Sequence, residues 1–504
     1  MLACPTRDVP VSLRKLFPNA EFFGGDDIAV RSCSSDSRSI APGELFVAIP
    51  GTVYDGHEFI SEAVAQGCAA ILAQRPVEGL GRTVCRVPNT REAYARLCQA
   101  LAGDPSRQMQ VIGITGTNGK TTTSYLTASV LAAGGFKAGI LGTLGCFDGE
   151  EFLPSSMTTP PPPELANRLA RMVQNGCSHA VMEVSSHALD QSRVAGMRFD
   201  AACVTNVCRD HLDYHGSPQN YRRAKSKLFR HLAPEGFAVL NADDPASAAF
   251  LSQLDGPVLT VGMRSAAEIT ASIAEQYASE QTMLLTAGSE TIAVRTRMIG
   301  RHHAYNCLSA AALGLAYGID LVTIARGLEA VEHLPGRLER IECGQPFGVF
   351  VDFAHTPDAL AGALAALREV TEGRLICVFG AGGDRDRQKR PLMGRAAEMG
   401  ADLVVLTNDN PRCEDPQQIF SDLLGGFHRP AEVEVLPDRA EAIGFALAEA
   451  RPGDCVLIAG KGHETCQILG GERVPFDDRA VARRWLYRHR PHAPKGSWSI
   501  ARGQ

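Results

Sequence analysis

The ten residues Gly113-Ile114-Thr115-Gly116-Thr117-Asn118-Gly119-Lys120-Thr121-Thr122 constrain the chain more than any others. An apolar run, Gln110 to Thr115, leads into them, and a helical stretch, Thr123 to Ala133, leads away. Glycines between a strand and a helix let backbone N–H groups converge on phosphate oxygens, and the helix start adds partial positive charge. In that setting Lys120 can reach the β/γ-phosphates and the Thr121 hydroxyl can ligate Mg²⁺. The strict pattern G-x-x-x-x-G-K-[ST] is not met, because Ile114 stands where the first glycine belongs. ATP binding is the reading this loop supports. Its alternative is a Gly-rich turn with an incidental lysine.

Around the loop, short β-branched runs alternate with Ala/Leu-rich helical stretches. The runs are Glu44 to Ile49, Ala69 to Ala73, Val84 to Val87, Gln110 to Thr115, His179 to Glu183, Ala201 to Thr205 and Phe237 to Asn241. A second series follows at Gly348 to Asp352, Leu375 to Phe379, Asp402 to Thr407, Glu432 to Leu436 and Cys455 to Ala459. Such alternation predicts βαβ units and mostly parallel sheets, with ligands at the carboxyl ends of the strands. Glu183 ends one run and Asp210-His211 follows another, so both are candidates to hold a nucleotide-bound metal. Breaks at Gly103-Asp104-Pro105 and Pro335-Gly336-Arg337 predict domains near 1–109, 110–338 and 339–504.

Composition excludes several classes. The formal net charge of −6 on 504 residues gives no support to nucleic-acid binding. The 15 cysteines include no C-x-x-C pair, which predicts buried thiols in a reducing compartment. No run of 18 apolar residues predicts a membrane span. Met1 to Asn19 carries three prolines and no apolar core, so a secretory signal is not expected and the cytoplasm is.

Eight stretches stand in order: GTNGKTTT (Gly116 to Thr123), MEVSSHAL (Met182 to Leu189), RDHLDYHG (Arg209 to Gly216), YRRAKSKLF (Tyr221 to Phe229), VDFAHTPDAL (Val351 to Leu360), GAGGDRDRQKRPLMG (Gly380 to Gly394), TNDNPR (Thr407 to Arg412) and AGKGHE (Ala459 to Glu464). Together they resemble the Mur ligase family over nearly the whole chain. A segment from Ser34 to Phe59 is similar to the family's uridine-binding domain. The resemblance implies an α/β protein of three domains: a small N-terminal uridine-binding domain, a central P-loop-type parallel sheet and a C-terminal Rossmann-like domain. The implied reaction activates the glutamyl carboxylate of UDP-MurNAc-L-Ala-D-Glu with ATP as an acyl phosphate, which the amine of meso-2,6-diaminopimelate attacks. Small-molecule substrates and a monomer are expected, with no nucleic-acid partner.

By the same resemblance Gly116, Thr117, Asn118, Gly119, Lys120, Thr121 and Thr122 hold ATP together with Asn306, Arg337 and Asp352. Thr121, Glu183 and His211 ligate magnesium, and Lys225 is the family's carbamylated lysine, with Lys120, Lys225, His211 and Glu183 forming the catalytic set. Read without the motif, Lys225 is a surface helix lysine and Arg337 a helix-terminus charge. The UDP substrate falls to Ser35, Ser37, Thr52, Val53, Tyr54, Thr158, Thr159, Ser185, Gln191 and Arg193. Two departures stand out: Met157, where relatives often have Asn, and Arg301-His302-His303, where an aromatic and Asn are common. The amino acid falls to Arg390, Asp409, Asn410, Pro411, Arg412, Gly460 and Glu464. Arg412 can grip the second carboxylate that distinguishes diaminopimelate from lysine, whereas a solvated turn arginine is its bland reading. Three rivals remain at this point: a lysine-adding synthetase, a folylpolyglutamate synthetase-like ligase and a non-catalytic nucleotide-binding scaffold.

Overall fold

The computed structural model describes residues 9–51, 53–77, 80–155 and 157–489. Three sheets organise them. The first runs Glu21–Phe23, Thr83–Arg86, Ala70–Ala73, Leu45–Val47, Cys33–Ser34, parallel except at its first pair. The second has 11 strands, and its parallel centre is Ala138–Gly142, His179–Glu183, Gln110–Thr115, Phe199–Val204, Leu232–Asn241, Val258–Gly262. The third runs Glu339–Arg340, Gly348–Asp352, Cys455–Ala459, Leu375–Phe379, Leu403–Leu406, Glu434–Val435. Each sheet has its own apolar clusters; Val111 and Ile112, for instance, face opposite sides of the central sheet.

The sheets are less uniformly parallel than the run pattern predicts. The central sheet ends in an antiparallel meander, Ile269–Gln276, Gln281–Ala287 and Glu290–Thr296, and its other edge is the antiparallel Gly145–Phe147 and Phe152–Leu153. Among the described residues no helix is long and apolar enough to cross a membrane.

One buried pair fixes the loops at the carboxyl ends of the third sheet. Arg439 starts the helix Arg439–Glu449 and donates from Nε and Nη2 to the two oxygens of Asp478, at 2.7 and 2.8 Å. Its Nη2 also reaches the Ala459 carbonyl at 2.9 Å and its Nη1 the Asn408 carbonyl at 3.3 Å. Both side chains are wholly buried. Removing one member of such a pair strands a charge in low dielectric. Asp478→Ala is therefore expected to cost about 3–5 kcal/mol in denaturant unfolding. A loss below about 1 kcal/mol would show that water or another group satisfies Arg439.

Candidate active site

Between the second and third sheets lies a cleft of about 500 Å³. Its floor is the phosphate loop. Gly119 holds the left-handed conformation that starts the helix Lys120–Ala133, φ 85°, and a Cβ there would run into Asn306 Oδ1. At Gly116 a Cβ would run into the Thr205 hydroxyl. The Lys120 ammonium folds back on the loop, donating to the carbonyls of Gly116 and Thr117 at 2.9 Å each. Burial lowers its pKa, against the opposing pull of Glu183 and Asp210.

Lys225 comes to the same carbonyl from the helix Pro218–Ser226, its Nζ 2.7 Å from Gly116 O. It is 1% exposed, not a surface lysine, and its Nζ sits 4.5 Å from the centre of the Tyr221 ring. Burial, then the neighbouring Lys120, push the Lys225 pKa well below the usual lysine value. Two amines on one carbonyl oxygen favour a neutral form of one of them.

Glu183 is buried at its strand end and accepts from Thr143 N and Oγ1 at 2.8 and 3.0 Å. His211 lies 3.3 Å from Asp210 and adopts φ 52°, left-handed for a non-glycine residue. Arg412 does the same at φ 55°. Such conformations cost on the order of 1 kcal/mol or more and cluster where function holds them. Desolvation pushes the His211 pKa down to about 3, so the ring is neutral.

The third sheet closes the cleft. Arg337 donates from Nη2 to the Thr121 hydroxyl at 3.0 Å and stacks its guanidinium 4.8 Å from the centre of the Phe353 ring, so it is no mere helix-terminus charge. Asp352 Oδ2 accepts from Leu338 N at 2.7 Å. Across the same junction Lys389 meets Asp210 at 3.3 Å and Arg209 donates to Gln388 at 2.6 Å. Both ring nitrogens of His303, a departure noted above, are buried here without a hydrogen-bond partner.

The sequence-predicted residues divide into three groups. All seven loop residues, Asn306, Arg337, Asp352, Glu183, His211 and Lys225 line the cleft, with Thr158 and Ser185 at its side. Arg193 continues that side, donating to the Thr159 carbonyl at 2.8 Å and to Gln191 Oε1 at 2.7 Å. Met157 fills its departure with sulfur, accepting from Arg193 at 3.2 Å. The first-sheet residues stand apart: Ser35 is exposed, Ser37 is buried and donates to Glu62 at 2.7 Å, and Val53 and Tyr54 face solvent. Thr52 lies outside the described residues.

The third group surrounds Asn410, whose Nδ2 donates to Glu464 Oε2 at 2.8 Å. Arg412 reaches the Gly383 carbonyl at 2.6 Å and is partly buried, not a solvated turn. Asp409 packs against Gly460, and Pro411 against Gly383. Arg390, expected to meet a substrate carboxylate, has a wholly buried guanidinium whose Nη groups are held by Glu414, Asp422 and the Gly382 carbonyl at 2.7–3.1 Å, while its Nε has no partner. Arg390 supports the Gly382–Gly383 wall from beneath. Sequence reasoning also passed over Thr143, Tyr221 and Lys389. Thr143 follows a strand, and Tyr221 precedes Lys225 by four residues on one helix face, so both had a signal.

Family models match three parts of the chain: Mur ligase family, catalytic domain, residues 29–101; Mur ligase middle domain, 114–314; and Mur ligase, glutamate ligase domain, 336–462. A UDP-N-acetylmuramoyl-L-alanyl-D-glutamate–2,6-diaminopimelate ligase of Geobacillus thermodenitrificans is 44% identical over 467 residues, 91% of this chain and 95% of that protein. A solved structure of a ligase with that same name superposes with a TM-score of 0.67 at 31% identity, covering 95% of this chain and 99% of the other. A folylpolyglutamate synthase of Mycobacterium tuberculosis has a TM-score of 0.61 at 21% identity, over 79% of this chain and 95% of its own; that likeness is one of fold. Sheet order, cleft and relatives define a three-domain α/β ligase. The chain belongs to the Mur ligase family.

Proposed function

We propose that this chain is a cytoplasmic, monomeric, ATP-dependent ligase that joins 2,6-diaminopimelate to UDP-N-acetylmuramoyl-L-alanyl-D-glutamate in peptidoglycan precursor synthesis. What carries the reading is that a relative of that name matches nine-tenths of the chain, while the residues this chemistry needs stand at adjoining strand ends. The domains proposed are 1–109, 110–338 and 339–504; the matched segments 29–101 and 114–314 lie within the first two, and the third, 336–462, begins three residues before the last boundary.

The loop amides and Lys120 bind the ATP phosphates, with Asn306, Arg337 and Asp352 completing the nucleotide site. A glutamyl carboxylate oxygen attacks the γ-phosphorus, ADP departs, and an acyl phosphate forms. The diamino acid's amine then attacks the acyl carbon, loses a proton, and the C–O bond breaks to release phosphate. Charge moves onto phosphate oxygens throughout, so positioning and cations carry the catalysis.

Magnesium fits this donor set. It keeps most of its waters, taking one or two carboxylates and the nucleotide phosphates, so it requires no cage of protein ligands. Among the described residues no three His, Cys, Asp or Glu side chains form such a cage. Thr121, Glu183, His211 and a carbamate on Lys225 would hold it, and when bound it neutralises phosphate charge.

Thr158, Thr159, Ser185, Gln191 and Arg193 take the muramoyl-peptide, and Ser35, Ser37, Thr52, Val53 and Tyr54 the uridine end. Arg390, Asp409, Asn410, Pro411, Arg412, Gly460 and Glu464 receive the diamino acid. Phosphate release with ATP and the UDP-dipeptide is expected to depend on diaminopimelate and to be poor with L-lysine. Label placed in the glutamyl carboxylate oxygens is expected in the released phosphate, and unlabelled phosphate would overturn the acyl-phosphate route. Arg412→Ala is expected to raise KM for diaminopimelate by about tenfold or more, the worth of a charge-assisted contact.

A further inference from the structure

Lys461 is absent from the roles assigned so far, although it lies inside the Ala459 to Glu464 motif and is wholly buried. Its Nζ donates to Asn410 Oδ1 at 3.0 Å and to Glu464 Oε2 at 2.8 Å. Asn410 is thereby oriented: Oδ1 takes Lys461 and the Ile468 N–H at 3.0 Å, leaving Nδ2 for Glu464 at 2.8 Å. Glu464 keeps about a third of its side chain exposed, so water can hydrate its carboxylate without a partner. A buried cation is costly to desolvate, and an apolar side chain would fill the same volume. The ammonium's effect is on the charge of the site.

Resting on the proposed reading, we infer that Lys461 is a positioning residue that tunes the amino-acid site for a distal end bearing both an ammonium and a carboxylate. Lys461, Arg412 and the neighbouring Arg385 are positive, Glu464, Asp409 and Asp384 negative, and the site is balanced; Arg439 behind it is taken by Asp478. A zwitterionic end, itself neutral, meets partners for both its charges. Lysine's lone ammonium finds no net attraction and leaves Arg412 unanswered. Without Lys461 the site is net negative and the preference moves towards lysine, the repulsive half of specificity having been removed.

The experiment compares kcat/KM for diaminopimelate and for L-lysine in the full-length wild type, Lys461→Met, Lys461→Arg and Glu464→Gln, with thermal unfolding of each. Lys461→Met is expected to lower the diaminopimelate-to-lysine ratio by about tenfold or more, the effect of one charge in a partly buried site. Lys461→Arg is expected to retain most of the ratio. Glu464→Gln, which shifts the balance the other way, is expected to raise it, and provides the test if Lys461→Met does not fold. A structural role would lower both substrates together. An unchanged ratio in the folded variants overturns the inference while leaving the proposed reaction intact. Failure of wild type to release phosphate with diaminopimelate overturns the reaction and the inference with it.

Discussion

Lys120→Met is expected to reduce kcat by about 10³-fold or more, the scale at which a cation aimed at a transferring phosphoryl group contributes. The side chain turns back onto the carbonyls of Gly116 and Thr117 and packs in no apolar cluster, so its loss spares the core. Folding should survive, and a thermal midpoint within a few degrees of wild type checks that. Two other basic side chains reach the loop: Arg337, engaged with Thr121 and Phe353, and Lys225, held on the Gly116 carbonyl. A variant retaining a tenth of wild-type turnover would mean that Arg337 or the loop amides carry the phosphoryl charge. Arginine at 120 is no substitute, since its planar fork demands room that a point ammonium does not.

The parts of this molecule legible in its sequence are those governed by local rules. Gln110–Thr115, His179–Glu183, Gly348–Asp352, Leu375–Phe379 and Cys455–Ala459 fall where β-branched runs predict strands, because strands buried on both faces are apolar without interruption. The meander from Ile269 to Thr296 escapes that test. Its buried Ile269, Met283, Leu285 and Val294 are interleaved with Thr, Ser, Glu and Arg, the broken pattern of a half-exposed sheet. Between the meander and the third sheet lie two helices, Arg301–Ala316 and Leu321–Glu329. Gly318 and the capping Asp320, which accepts from Thr323 N at 2.9 Å, carried the break.

Site residues divide along the same line. The loop residues are readable because the glycine spacing is itself the site. The partners of Arg390 are not readable, because a motif arginine carries no mark of which carboxylate within the chain it answers; Glu414, 24 residues along, holds its Nη groups. Lys389 meets Asp210 across 179 residues, and no spacing rule spans that distance. Lys225 lies between. Tyr221, Ala224, Lys225 and Leu228, at i, i+3, i+4 and i+7, form the buried stripe of an otherwise polar segment.

Lys225 also carries the second large expectation. Its amine shares the Gly116 carbonyl with Lys120 and is driven towards neutrality by burial first and by that neighbour second. A neutral amine is the form that adds CO₂. The product is an anion, which replaces mutual repulsion beside Lys120 with attraction and presents oxygens to a metal-bound nucleotide. Lys225→Ala is expected to lower kcat by about 10²–10³-fold, the range for one preorganised electrostatic contact. A plain loss would fit a structural lysine equally well, so the discriminating measurement is the response to bicarbonate. Wild type stripped of CO₂ at mildly acidic pH should lose activity and regain it when bicarbonate returns, with the intact-protein mass rising by one carboxylate. Lys225→Ala should not respond. Full activity in stripped wild type, with no mass change on adding bicarbonate, would leave Lys225 as a neutral amine propping the phosphate loop through Gly116.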